Sequence, residues 1–175
     1  MLDEDLGHYR TNGGEVEVAG FIDRTSKAVH VSNRFPANVR TFTAAHELAH
    51  AVLHQSGSSI HRDRPLDGAA ISRDRVEFEA DKFATYFLMP AKLLKSRFVA
   101  IFGTDCFALN EETAFALQGQ SLFETRQKCR TKRDLARVLA NADAFNGRFF
   151  VSLADQFHVS AAAMAIRLEE LGLVA

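Results

Sequence analysis

The chain has 175 residues, nearly half of them apolar and a quarter charged, which is ordinary globular composition and enough chain to bury one core. Lys and Arg number 21 against 22 Asp and Glu, a balance that excludes a globally basic nucleic-acid binder or a protein drawn to anionic membranes. Two cysteines without C-x-x-C spacing, an acidic start and no run of membrane-span length place the expected protein in the reducing cytoplasm.

Residues 1–14 read as irregular, ending in the turn-prone Asn12-Gly13-Gly14. Glu15 to Ile22 alternates, and Ala28-Val29-His30-Val31 follows the polar stretch Asp23 to Lys27, a pattern that predicts a β-hairpin over 15–32. Pro36 breaks it. From Asn38 to His54 the period becomes helical. Phe42, Ala45, Leu48, Ala49, Val52 and Leu53 fall on one side, expected to face the core, with His46, Glu47 and His50 on or beside the other. Gln55 to Asp67 reads as a surface loop.

A second helix is predicted over Arg73–Met89, with Pro90 opening a third near 91–101. Further helices are expected over 111–118 and over 131–142, the latter capped by Thr131 with Asp134 in its first turn. Phe149 to Leu173 reads as two short helices broken at Val159-Ser160. Fifteen Phe and no Trp imply an aromatic core.

The most chemically committed segment is His46-Glu47-Leu48-Ala49-His50, an H-E-x-x-H pattern on the first helix. Histidines four apart stand about 40° apart in projection and ~6 Å apart along the axis, so both imidazoles reach one metal ion. Glu47 then lies within reach of a water on that metal. A catalytic site needs a third protein ligand. His54 does not qualify, because eight residues of helix span ~12 Å and one ion cannot hold both ends. On the second helix, Glu77 and Asp81 border the apolar side formed by Val76, Ala80, Phe83, Ala84, Phe87 and Leu88, whereas Glu79 faces water. A carboxylate on the core margin is costly unless its charge is compensated. Glu77 is therefore the expected third ligand, and Asp81 the acceptor for the second ring N–H of a metal-bound histidine. Two histidines and one carboxylate accept zinc, one ion per chain, and also manganese. Glu77 pairing with Arg73 or Arg75 is the plainer alternative.

His46 through His54, followed by Glu77-Phe78-Glu79-Ala80-Asp81-Lys82-Phe83-Ala84 and Leu88-Met89-Pro90, closely resembles the ImmA/IrrE (DUF955) metallopeptidases. The likeness covers about residues 19–101 and 150–173. It implies an α+β fold with a zincin-like (gluzincin) core: a small β-sheet, an active-site helix, a glutamate helix and a helical C-terminal part. It also implies a single metallopeptidase domain over 1–175, with the core at 15–101 and the helical region at 102–175. His46, His50 and Glu77 would hold zinc, and Glu47 would be the general base. Members of the family cut helix-turn-helix repressors and so release stress, phage or mobile-element genes. The family often carries a helix before its first strand, for which this chain starts too late. No DNA-binding domain is expected ahead of the peptidase, so the substrate is expected to be a separate protein, with no membrane involved. Residues 102–148 match less well and are expected to set substrate choice.

His61, in the loop between the site helices, is the candidate oxyanion donor, against the plainer reading of a surface histidine. Substrate is expected to add as a strand to the exposed edge of the 15–32 hairpin. Residues 152–173 imitate a helix-turn-helix, but Asp155, Glu169 and Glu170 against Arg167 have the wrong sign for phosphates. The basic run from Arg126 to Arg137 reads as a solvated helix face, or as a grip on an acidic partner or nucleic acid. A non-catalytic, toxin–antitoxin-like binding protein is the remaining alternative.

Overall fold

The computed structural model describes residues 2–4, 6–11, 14–54, 60–63, 74–119 and 121–175. The chain divides into two compact units, Met1–Leu88 and Met89–Ala175. Together they make an α+β protein.

The first unit opens with strands where an irregular start was expected: β1 (Leu2–Glu4), β2 (His8–Thr11) and β3 (Gly14–Glu17). The expected strand over 15–22 is in fact two. β3 pairs antiparallel with β2, and after Val18-Ala19 a separate β4 (Gly20–Asp23) pairs antiparallel with β5 (Ala28–Ser32). Only the β4–β5 half of the expected hairpin therefore forms. Phe21 and His30 face each other across it with rings stacked 4.5 Å apart. Helix α1 (Ala37–Leu53) follows, and then β6 (Ile60–Asp63), a strand within the stretch expected to be loop. The sheet order is β1-β5-β4-β6, with β1 parallel to β5 and β6 antiparallel to β4. Both edges of the β4–β5 hairpin are thus occupied, and the expected substrate edge is not free.

Helix α2 (Arg75–Leu88) lies against α1, with Phe42, Ala45 and Ala84 forming a small core that Leu88 packs against. Helix α1 departs in part from the expected division of its faces. Its buried residues include Thr43, His46, Glu47 and His50, whereas Val52 and Leu53 are 53% and 48% exposed. The helix contacts α2 together with β4 and β5, so the polar side is enclosed as well as the expected Phe42, Ala45 and Ala49. On α2, likewise, Val76 and Phe87 are exposed while Ala80 and Ala84 are buried.

The second unit is helical: α3 (Ala91–Phe102), α4 (Glu111–Gln118), α5 (Leu122–Lys128), α6 (Lys132–Asn141), the ribbon β7 (Ala144–Phe145) and β8 (Arg148–Phe149), the single turn α7 (Leu153–Gln156) and α8 (Ala161–Glu170). Phe102 is the hub of an aromatic cluster, with the rings of Phe98, Phe107, Phe145 and Phe150 all within 6.2 Å. Phe115, Phe123 and Phe149, by contrast, are exposed, so the aromatic content is only partly core. Leu135 and Leu139 of α6 and Met164 and Leu168 of α8 are buried where those helices meet. Arg167 is buried, donating to the Met89 carbonyl at 3.2 Å and to Glu170 at 3.0 Å. Arg133, from the basic run, pairs with Glu169. None of the helices is long and apolar enough to cross a membrane, among the described residues.

Candidate metal centre

Helix α1 carries His46 and His50 one turn apart on the side turned toward α2, and α2 carries Glu77 and Asp81 one turn apart on the side turned back. The Nε2 atoms of the two histidines lie 3.0 Å apart. Glu77 Oε2 is 3.2 Å from His46 Nε2, and Glu77 Oε1 is 3.6 Å from His50 Nε2. One donor atom from each of the three residues falls within 4.8 Å of the others. Ligands held ~2.1 Å from a tetrahedral ion are about 3.4 Å apart, so this triangle has the dimensions of a coordination face.

Protonation chemistry supports the same fit. His46 Nδ1 stands 3.0 Å from Asp81 Oδ1. A neutral imidazole has one N–H. If Nδ1 donates it to Asp81, the Nε2 lone pair faces a carboxylate oxygen, and two acceptors at 3.2 Å need a cation near them. A metal ion is such a cation, and a second proton is the other. With that second proton in place, hydrogen bonding from His46, then from His50, holds the Glu77 carboxyl well below the ordinary carboxylate range. The group is therefore ionised at any physiological pH, as a ligand must be.

Glu47 is fully buried on α1 beside these residues. Its position depends on Gly20 of β4, which the motif did not reveal. A Cβ at Gly20 would stand 2.6 Å from Thr43 Cγ2 and 3.3 Å from Glu47 Cγ. Only a residue without a side chain lets the sheet come this close to the helix. His54 ends the helix outside the donor set, its ring 5.4 Å from that of His50 and its Nε2 4.0 Å from Glu79 Oε2. Arg75 bonds Glu79 at 2.8 Å, and Glu77 is turned to the histidines. His61 lies on β6 opposite Ile22; its side chain is outside those described.

Residues 8–105 match the Peptidase_M78 family, described as the IrrE N-terminal-like domain. The chain belongs to this family. The match runs across the junction of the two compact units and contains every residue of the donor set. A Bacillus phage phi105 protein named "Uncharacterized immunity region protein 2" is 34% identical over 77 residues. That alignment takes in 42% of this chain, which spans a little under half, 46%, of the phage protein's length. Membership makes this a metallopeptidase-family chain whose His46, His50 and Glu77 can hold a metal ion.

Proposed function

We propose that this protein is a zinc-dependent endopeptidase with a zincin-like core, and that its substrate is a helix-turn-helix transcriptional repressor. The observation that carries the reading is the meeting of His46, His50 and Glu77 donor atoms beside the buried Glu47. In a Peptidase_M78 chain this is a site for hydrolysis.

His46, His50 and Glu77 would hold the ion. Zinc, when bound, supplies Lewis acidity, lowering the pKa of water and polarising a carbonyl. Glu47 accepts the proton of the attacking water and delivers it to the leaving amine. Asp81 accepts a hydrogen bond from the Nδ1–H of His46 and keeps the Nε2 lone pair directed at the site. His61 is retained as the oxyanion donor, on a strand beside β4. A peptide extends along the outer side of β6, the sheet edge next to β4. The two units act as one peptidase domain, with the stretch after residue 101 selecting the substrate, in the reducing cytoplasm suited to the free Cys106 and Cys129.

The resemblance to a phage immunity-region protein supports a regulatory protein as substrate. The test is co-incubation with the product of a neighbouring repressor-like reading frame. Wild-type protein cuts it, chelator stops the cut, and Glu47→Gln binds metal without cutting. Normal turnover by Glu47→Gln would rule out the base.

A further inference from the structure

We infer that Arg24 is a positioning residue for the metal centre, holding the last turn of α1 from the sheet and so fixing His50. The inference rests on reading His46, His50 and Glu77 as a metal site. Arg24 Nη2 donates to the His50 carbonyl at 2.8 Å and also to the His54 carbonyl. The carbonyls of a final turn are the groups that a helix leaves for capping. The common device is a left-handed residue just past the end, and His54 is not one, having φ −117° and ψ 74°. A guanidinium takes its place, with the charge that suits a helix C-terminus.

The base of this clamp is rigid. Arg24 follows β4, which is paired on one side by β5 and on the other by β6. The Asp23 carboxylate shapes the turn, accepting from the Thr25 N–H at 2.9 Å and the Ser26 hydroxyl at 2.7 Å. The load is at the vulnerable end. α1 ends at Leu53, so His50 belongs to the turn that frays first, while His46 sits one turn further in and is oriented by Asp81. Arg24 gives the His50 backbone the fixity that Asp81 gives the His46 ring. Loosening it would let one imidazole drift from a triangle only 3.0–3.6 Å on a side.

Cobalt titration, followed by visible absorption and by competition with a chromophoric chelator, tests this on the full chain. Arg24→Ala is expected to lose about tenfold in Co²⁺ affinity, the lower end of what outer-sphere supports contribute, and to alter the ligand-field bands. Arg24→Lys, which keeps a cation and donors, is expected to recover part of the affinity and the wild-type bands. Arg34→Ala, which breaks an exposed pair with Glu17, leaves both unchanged. Titrations are run at a temperature where circular dichroism shows the variants folded, and Arg24→Lys carries the test should Arg24→Ala not fold. Unchanged affinity and spectrum in Arg24→Ala, or full wild-type affinity in Arg24→Lys if it alone folds, would overturn the role of Arg24 and leave the metal site standing. A His46→Ala protein that binds Co²⁺ as tightly as wild type would overturn the metal reading beneath it.

Discussion

Asp81 Oδ1 lies 3.0 Å from His46 Nδ1, so one carboxylate of α2 favours the proton on that nitrogen of an α1 histidine. The ring nitrogen on the other side points at Glu77, one turn earlier on the same helix. The two helices thus interlock through one imidazole. Replacing Asp81 by Asn removes the charge but not the shape, and should weaken metal binding by about tenfold to a hundredfold. Metal content after dialysis against a buffered chelator measures this.

Glu77 and Glu79 give an internal control. Glu77 faces the histidines, while Glu79 bonds the exposed Arg75. Glu77→Ala should empty the centre, and Glu79→Ala should bind metal like wild type, since a single exposed ion pair contributes at most ~1 kcal/mol to folding. Metal analysis of the two purified proteins decides it, and the opposite order would refute the ligand assignment.

Gly20 is expected to tolerate no side chain. Gly20→Ala places a methyl 2.6 Å from Thr43 Cγ2, and overpacking of this kind costs about 1–3 kcal/mol. Because Glu47 Cγ is also close, activity should fall further than stability does. Thr43→Ser removes the clashing methyl and should restore much of both in the double variant. Urea unfolding midpoints and peptide cleavage, measured side by side, separate the two effects.

Acid should loosen the α6 cap. The Asp134 carboxylate accepts from the Thr131 hydroxyl at 2.8 Å and the Thr131 N–H at 2.9 Å, and these bonds, the hydroxyl's foremost, lower its pKa. A carboxyl with a depressed folded pKa adds stability above its unfolded value, near 3.9, and loses it as pH falls through the folded one. The difference in urea midpoint between wild type and Asp134→Ala should therefore be full at neutral pH and shrink below about pH 4. A constant difference across that range would show that ionisation is irrelevant to the cap.

The two thiols should react unequally. Burial, and then the nearby Asp134 charge, push the Cys129 thiol up, and Cys129 is buried whereas Cys106 is exposed. A raised thiol pKa leaves less thiolate at neutral pH. Iodoacetamide followed by mass spectrometry should label Cys106 first, with Cys129 reacting only on unfolding.

Local signals were readable where one element carried them. The 3.6 period gave α1, α2 and α3 to within two residues of their observed ends, and Thr131 and Asp134 marked the start of α6. Ser121 and Glu124 make the same kind of capping box at the start of α5, so that helix had a signal that went unread. Strands β1 and β6 had none. Each is three or four residues long and exists only by pairing with β5 or β4, remote in sequence.

The site divided in the same way. His46, Glu47 and His50 follow from spacing on one helix, and Glu77 and Asp81 from their place on a wheel. Phe42, Ala45 and Ala49 are buried as expected, but that the polar side of α1 would be enclosed too did not follow, because a wheel ranks hydrophobicity and cannot anticipate that two carboxylates will meet that side. Val52 and Leu53 were misplaced for that reason. Gly20 and Arg24 meet helix residues more than twenty positions further along the chain, Thr43 and Glu47 for the one and His50 for the other, and nothing in their own neighbourhood announces them.

His46, Glu47, His50, Glu77 and Asp81 all precede the junction at Leu88. Substitutions confined to the second unit therefore leave every donor of the candidate metal centre unaltered. On the proposed function, a change of target made there would leave the reaction itself untouched.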